Sequence, residues 1–174
     1  MTDLHIFKAA FPQHIPAVAH LWRLYSETLR AFGVWDLGGE TIEPDIQALM
    51  RGDQQQHLQT HLQTYWHIFL AERNGQVVGT ASFTPLPHLG PAVAEGRRLF
   101  VLPEAQGLGI ARALLNAAEE DARQRGFTTL YLDTFRTTEG EKPLALYRSL
   151  GFVECAPYND YSPERTRFLV KQIA

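Results

Sequence analysis

Apolar positions along the chain recur with two different periods, and the switches between periods mark the elements. Leu4 to Ala9 is a short apolar-rich run, and beyond Pro12 the residues Ile15, Val18, Trp22, Tyr25, Leu29 and Phe32 follow at three- and four-residue spacing. The first reads as a strand and the second as an amphipathic helix, with Pro16 in the first turn, where a missing N–H costs nothing. Gly33, Gly38 and Gly39 interrupt the pattern, and Ile42, Ile46, Leu49 and Met50 restart it as a shorter helix. The polar stretch Gln54 to Gln63 holds five Gln and two His, with Leu58 and Leu62 as its apolar positions, and is read as helical.

Trp66 to Arg73 and Gln76 to Phe83 are rich in β-branched, aromatic and aliphatic residues and flank Asn74-Gly75, a pair that tolerates the positive φ angles of a two-residue hairpin turn. A loop with Pro85, Pro87, Gly90 and Pro91 leads into a strand from Val93 to Leu102. After Pro103 a helix is predicted over Ile110 to Arg125, with Ile110, Ala113, Leu114, Ala117, Ala118 and Ala122 on one face and Gly126 as its stop. Thr128 to Thr134 reads as a strand, Pro143 to Leu150 as a helix stopped by Gly151, and Phe152 to Ala156 and Thr166 to Val170 as closing strands. About seven strands and about four helices, without an internal repeat or a long linker, predict one α/β domain over 1–174. Its central sheet is expected to be mixed, antiparallel early and parallel at the strand–helix–strand step.

Composition narrows the function by exclusion. Sixteen Lys and Arg against 19 Asp and Glu give a net charge of -3, with no basic excess to neutralise a nucleic acid or an anionic membrane. No apolar run approaches the ~18 to 20 residues that cross a bilayer. Met1 to His5 has no basic segment leading into an apolar one, and the single Cys155 lacks a disulfide or C-x-x-C partner. A soluble cytoplasmic protein is expected.

The chemistry concentrates at Leu99-Phe100-Val101-Leu102-Pro103-Glu104-Ala105-Gln106-Gly107-Leu108-Gly109-Ile110-Ala111, a strand running through a glycine turn into a helix. Amides at a helix start have no intrahelical partner and carry the positive end of the helix dipole, so such a junction suits an anion. No Ser, Thr, Asp or Asn lies between Pro103 and Ala111 to cap the helix. On spacing alone the turn is equally a plain connection. A Walker A loop is excluded because Ile110-Ala111 stand where Lys-Ser/Thr would be, and a dinucleotide fingerprint is disfavoured by Arg112 at its third small position. What fits is Gln/Arg-x-x-Gly-x-Gly/Ala, met by Gln106, Gly109 and Ala111.

That loop resembles the pyrophosphate loop of the GNAT superfamily of N-acetyltransferases, and the similarity extends along most of the chain. Glu95 to Glu104 is similar to the fourth strand of such enzymes, with a carboxylate several residues before the loop, and Leu144 to Phe152 is similar to their last helix, with its Leu-Tyr pair followed by Gly-Phe. Gly140 and Pro143 depart from the Asn and Ala that the family often carries, which removes a side chain that contacts pantetheine. The resemblance implies acetyl transfer from acetyl-CoA to an amine by direct attack in a ternary complex, with no metal. A small-molecule acceptor is expected because no second recognition region is present, the charge balance argues against a nucleic-acid or membrane partner, and a homodimer is left open. A non-catalytic module that binds acyl-CoA is the alternative.

On this reading Gln106, Gly107, Leu108, Gly109, Ile110 and Ala111 hold the pyrophosphate, and backbone amides at Phe100, Val101 and Leu102 meet the pantetheine arm and the thioester carbonyl. Glu95 is the candidate base, or else a strand carboxylate paired with Arg97 or Arg98. Tyr147 is the candidate acid for the departing thiolate, or an aromatic anchoring the last helix. Arg112 either adds charge beside the phosphates or is solvated on the helix surface, and Asp133 and Thr134 end the strand that would splay to admit pantetheine or are an ordinary polar terminus; none is assigned a role. Tyr25, Phe32, Trp35, Tyr158 and Tyr161 stand where acceptor pockets form in the family, and Asp36, Glu40, Glu43 and Asp45 are acids that either attract a cationic amine or start a solvated helix. His57 and His61 have helical metal-ligand spacing but no third ligand and read as surface histidines.

Overall fold

The computed structural model of the chain describes residues 3–51 and 67–174. The predicted strands appear as β1 (Leu4–Lys8), β2 (His67–Arg73), β3 (Gln76–Pro85), β4 (Val93–Val101), β5 (Thr129–Phe135), β6 (Val153–Glu154) and β7 (Thr166–Gln172). They form one mixed sheet in the order β1-β2-β3-β4-β5-β7-β6. Four α-helices lie among the described residues: α1 (Ile15–Ala31), α2 (Ile42–Met50), α3 (Ile110–Gln124) and α4 (Thr138–Ser149). The stretch from Gln54 to Gln63, with His57 and His61, lies outside the described residues.

The hairpin of β2 and β3 turns through Asn74 and Gly75 at φ 52° and 76°, as the dipeptide predicts. Strands β1 to β4 pair antiparallel in chain order, and β4 pairs parallel with β5. The core is one apolar cluster to which α1 gives Val18, Leu21 and Trp22, α2 gives Ile42 and Ile46, and α3 gives Ile110, Leu114 and Ala122. Apart from Leu21, these residues are the ones the helical spacing marked in the sequence.

Two irregularities open one end of the sheet. In β4, Ser82 faces Arg97 and Thr80 faces Phe100, so Arg98 and Leu99 together oppose Ala81. Arg98 adopts φ 55°, and this bulge bends β4. The buried Arg98 guanidinium pairs with Asp45, donates to Thr41 Oγ1 at 3.0 Å and lies 4.3 Å over the Trp22 ring, tying α1 and α2 to the bend. Beyond Glu95, β4 and β5 no longer pair: only Val93, Ala94 and Glu95 match Thr129, Leu130 and Tyr131. Meanwhile β5 stays paired with β7 from Thr129 to Phe135. The parted strands leave a wedge in the sheet.

The second irregularity is the start of α4. The helix begins at Thr138, five residues before the proline where the sequence suggested it would. Pro143 is tolerated inside because it removes one bond, the one to the Glu139 carbonyl, just past the turn whose amides have no helical partner. Gly140 permits the early start: a Cβ there would lie 1.9 Å from the Phe135 carbonyl oxygen. Any side chain at 140, the family's Asn included, would have to push α4 away from the end of β5.

Candidate active site

The wedge between β4 and β5 opens into a cleft of about 620 Å³. Leu99, Phe100 and Val101 of β4 form one wall, Thr134 and Phe135 of β5 another, and Leu146 and Tyr147 of α4 a third. Backbone polarity on the β4 wall follows from register. The Leu102 amide donates to the Val78 carbonyl at 2.9 Å. Phe100, two residues earlier and opposite Thr80, has the same phase in the antiparallel ladder, so its amide also faces β3, whereas Val101 turns its amide and carbonyl toward the wedge. The Val101 carbonyl accepts Gln106 Nε2 at 3.1 Å, as that orientation requires. Of the three amides assigned from sequence, Val101's is the one presented to a ligand; Phe100 contributes its side chain, and Leu102 is buried away from the cleft with its amide already bonded.

At the mouth lies the glycine turn. Gly107 and Gly109 both adopt φ 78°, a left-handed conformation that costs a residue with a Cβ about 1 kcal/mol or more. Gly109 caps α3 without a side-chain hydrogen bond, and no acid stands in the first turn. Ala113 to Gly109 at 3.0 Å is the first bond into the helix, so the amides of residues 107–112 donate to no described group. These bare donors and the positive end of a 15-residue helix make an anion cradle. Gly107, Gly109, Ile110 and Ala111 line the cleft; Leu108 is half exposed and points outside it. Two cations flank the cradle: Lys142 Nζ is 3.4 Å from Gln106 Oε1, and Arg112 donates to Ser149 Oγ at 2.7 Å. Lys142 carried no signal in the sequence, because α4 was expected to begin beyond it.

A smaller cavity of about 80 Å³ adjoins the cleft, and Tyr25, Leu29, Leu37, Leu99, Asp133 and Tyr147 line both. Glu95, Arg97 and Tyr161 belong to the smaller one. Glu95 is 7% exposed, and its Oε1 accepts the Tyr158 hydroxyl at 2.8 Å while Oε2 stands 3.9 Å from Arg97 Nε. Asp133 Oδ2 accepts Asn159 Nδ2 at 3.0 Å and the same Tyr158 hydroxyl at 3.4 Å. Burial and then the negative charge of Glu95 push the Asp133 carboxyl up to about 6, against the opposing pull of Asn159, Arg97 and Tyr158. One hydroxyl therefore bridges two carboxylates.

Tyr147 is buried, and burial, then Tyr25 and Asp133, push its phenol well above the ordinary range, so it stays protonated at neutral pH. Its ring packs edge-on to Phe152 at 6.1 Å, and its carbonyl accepts the Phe152 amide at 3.1 Å. The Gly-Phe that follows the helix thus anchors Tyr147 while its side chain lines both cavities.

The other marked residues divide sharply. Tyr25 and Phe32 line the cleft, and Tyr161 lines the smaller cavity. Trp35 instead supports the loop, with Nε1 donating to Ser26 at 3.1 Å and Arg30 stacked 4.0 Å from its ring. The acids after α1 are mostly paired: Asp36 with Arg165, Glu43 with Arg23, and Asp45 with Arg98. They do not form the free negative field the sequence allowed. Among the described residues no cluster of His, Cys, Asp and Glu could hold a metal ion, and no helix is long and apolar enough to cross a membrane.

Comparison with known proteins agrees with this geometry. Residues 19–152 match the acetyltransferase (GNAT) family. The chain is 35% identical over 109 residues to an IAA acetyltransferase of Azospirillum brasilense, covering 62% of this chain and 67% of that protein. It is 36% identical over 88 residues to the N-acetyltransferase YjgM of Escherichia coli, covering 51% of this chain and 50% of that one. A Salmonella typhimurium acetyltransferase structure with its cofactor acetyl-CoA superposes with a TM-score of 0.71 at 19% identity, over 99% of this chain and 95% of that one.

Proposed function

The chain belongs to the GNAT family of acetyltransferases, and on that premise we propose that it moves the acetyl group of acetyl-CoA directly onto a primary amine of a small molecule. Acetyl-CoA is the acyl donor. The single observation that carries the acceptor half is the shared wall of the two cavities, where Tyr147 and Asp133 face both a long donor cleft and a short pocket holding carboxylates. A nucleophile entering the pocket meets the donor cleft at that wall, which favours direct attack over a covalent relay. Cys155 lines neither cavity.

The cradle at 107–112 and Lys142 hold the diphosphate, and the Val101 amide, turned into the wedge, donates to the thioester carbonyl oxygen as negative charge develops on it. The attacking amine must be neutral, and the carboxylate site centred on Glu95 takes its proton. Tyr147 supplies a proton to the departing sulfur, because a phenol kept protonated beside the wedge is a suitable donor to a thiolate.

The test is thiol release from acetyl-CoA in the presence of primary amines. Tyr147→Phe is expected to lower turnover roughly 10- to 1000-fold with little change in acetyl-CoA affinity by calorimetry. Unchanged turnover removes Tyr147 from the mechanism. Wild-type protein that binds acetyl-CoA but releases thiol in the presence of none of the amines is a binding module rather than an enzyme.

A further inference from the structure

The two carboxylates of the smaller cavity are engaged unequally. Glu95 Oε1 accepts the Tyr158 hydroxyl at 2.8 Å, while Oε2 stands at ion-pair distance from Arg97, 3.9 Å, without a hydrogen bond. Both hydrogen bonds to Asp133 land on Oδ2, from Asn159 and from Tyr158, and Oδ1 accepts from no described residue. Position separates them as well. Asp133 lines both cavities beside Tyr147, whereas Glu95 lines only the smaller one. Tyr158 has a single proton to share between the two carboxylates, and the shorter contact, 2.8 Å against 3.4 Å, directs it mainly to Glu95. Asp133 is left as the carboxylate with an open oxygen at the junction.

We propose that Asp133 is a catalytic residue: Oδ1 takes the proton of the acceptor's ammonium group, while Glu95 and Tyr158 act through it as positioning residues. The inference rests on the N-acetyltransferase reading and changes which oxygen receives the proton. The ammonium gives one proton to Oδ1, freeing the nitrogen lone pair; the C–N bond forms as the C–S bond breaks. The second proton that nitrogen sheds returns to the Tyr147 phenolate, restoring the phenol that protonated the sulfur. Amide, thiol and protonated Asp133 result, with atoms and charge conserved.

Charge explains why the ammonium enters. Asp133 is faced by Glu95 and Arg97 from β4, Tyr25 from α1, Tyr147 from α4, and Tyr158, Asn159 and Tyr161 from the connection between β6 and β7. The tyrosines are neutral, Arg98 is paired with Asp45, and the two acids outnumber Arg97. Once Asp133 is ionised the pocket is net negative. A cationic alkylamine neutralises it, whereas the added carboxylate of an amino acid leaves the excess in place.

The experiment follows thiol release from acetyl-CoA with a panel of alkyl mono- and diamines against pH, in wild type, Asp133→Asn and Glu95→Gln, with acetyl-CoA affinity measured alongside. Wild type should lose kcat/KM as pH falls through about 6. Asp133→Asn should lose ~100-fold or more at pH 7.5 together with that acid limb, with acetyl-CoA affinity kept within about 2-fold. Glu95→Gln should retain the limb, displaced to lower pH, because the charge that helps to raise the Asp133 carboxyl is gone. An acid limb that survives in Asp133→Asn and vanishes in Glu95→Gln overturns the proposal and leaves the acetyltransferase reading intact; wild type that turns over no amine overturns that reading itself. A carbon-13 titration of the aspartate carboxyls tests the group independently of the acceptor. The Asp133 midpoint should fall in Glu95→Gln, and an ordinary aspartate midpoint in wild type rejects the assignment.

Discussion

The proposed donor end and the proposed acceptor end of the candidate site rest on different physics. At the glycine turn the working groups are main-chain amides of residues 107–112, on an exposed loop ahead of a long helix, and no acidic side chain takes part. Sixty-three residues of sequence separate Glu95 from Tyr158 at the other end, where buried side chains from β4, β5 and the β6–β7 connection share protons. A main-chain site does not titrate and tolerates exchange of neighbouring side chains, but it fails when the backbone or the local sign of charge changes. A side-chain network responds to pH and to the loss of a single oxygen.

The largest effect should therefore come from charge placed in the cradle. Nothing lies within 4 Å of a Cβ built on Gly109, so Gly109→Glu has room to fold, at a cost of about 1 kcal/mol for its left-handed φ. Its carboxylate would occupy the space meant for the diphosphate, and acetyl-CoA affinity should fall beyond ~1000-fold by calorimetry. Gly109→Ala carries the same backbone strain without the charge and should lose far less. Equal losses in the two variants would show that φ, not the anion field, sets affinity, and would erase the contrast between the two ends.

The same contrast decides what was readable in the sequence. Gln106, Gly107 and Gly109 announced the cradle because a glycine turn into an uncapped helix is a local pattern, and the strands were legible for the same reason. The wedge was not, because it depends on the bulge at Arg98 and on pairing that stops after Glu95. Nor was the carboxylate pair: Asp133 reads as a strand-end acid until Tyr158 and Asn159 are folded onto it. The acids after α1 show the opposite limit. As a cluster in sequence they allowed either an open negative patch or a solvated helix start, and partners such as Arg165, distant in the chain and paired with Asp36, close off the first. The start of α4 differs from the sequence reading because Pro143 is a strong helix-start signal, while the close approach of Gly140 to the Phe135 carbonyl exists only once the strand–helix turn is folded.

Next in size is a stability change confined to one end. The Asp133 carboxyl is raised from 3.8 to about 6 on folding. A raised carboxyl supports the fold fully below the unfolded value, and that support is lost as pH rises through about 6, because the native state must then hold a second negative charge beside Glu95. Asp133→Asn keeps an acceptor for Asn159 and Tyr158 and removes that charge. It should stabilise the protein by up to about 3 kcal/mol at pH 8 and by almost nothing at pH 4. The melting temperature should rise by about 5 °C or more at pH 8 while activity falls. Destabilisation at pH 8 would mean that the ionised carboxylate is a structural anchor, not a strained functional group.

The smallest effect should belong to Lys142, because it adds an exposed charge to a site that main-chain donors already satisfy. Among the described residues its ammonium is held by the 3.4 Å contact to Gln106 Oε1, and the side chain is exposed, so solvent screens most of its attraction for a diphosphate. Lys142→Ala should weaken acetyl-CoA binding about 3- to 10-fold at low salt, and the difference from wild type should shrink as ionic strength approaches 0.5 M, whereas the loss in Gly109→Glu should persist, since it arises from occupied space as well as charge. A Lys142→Ala deficit that rivals Gly109→Glu, or that ignores salt, would move the donor end into the class of side-chain sites. Its anion affinity would then depend on α4, and on the glycine at 140 that lets α4 begin early enough to bring Lys142 to the cleft.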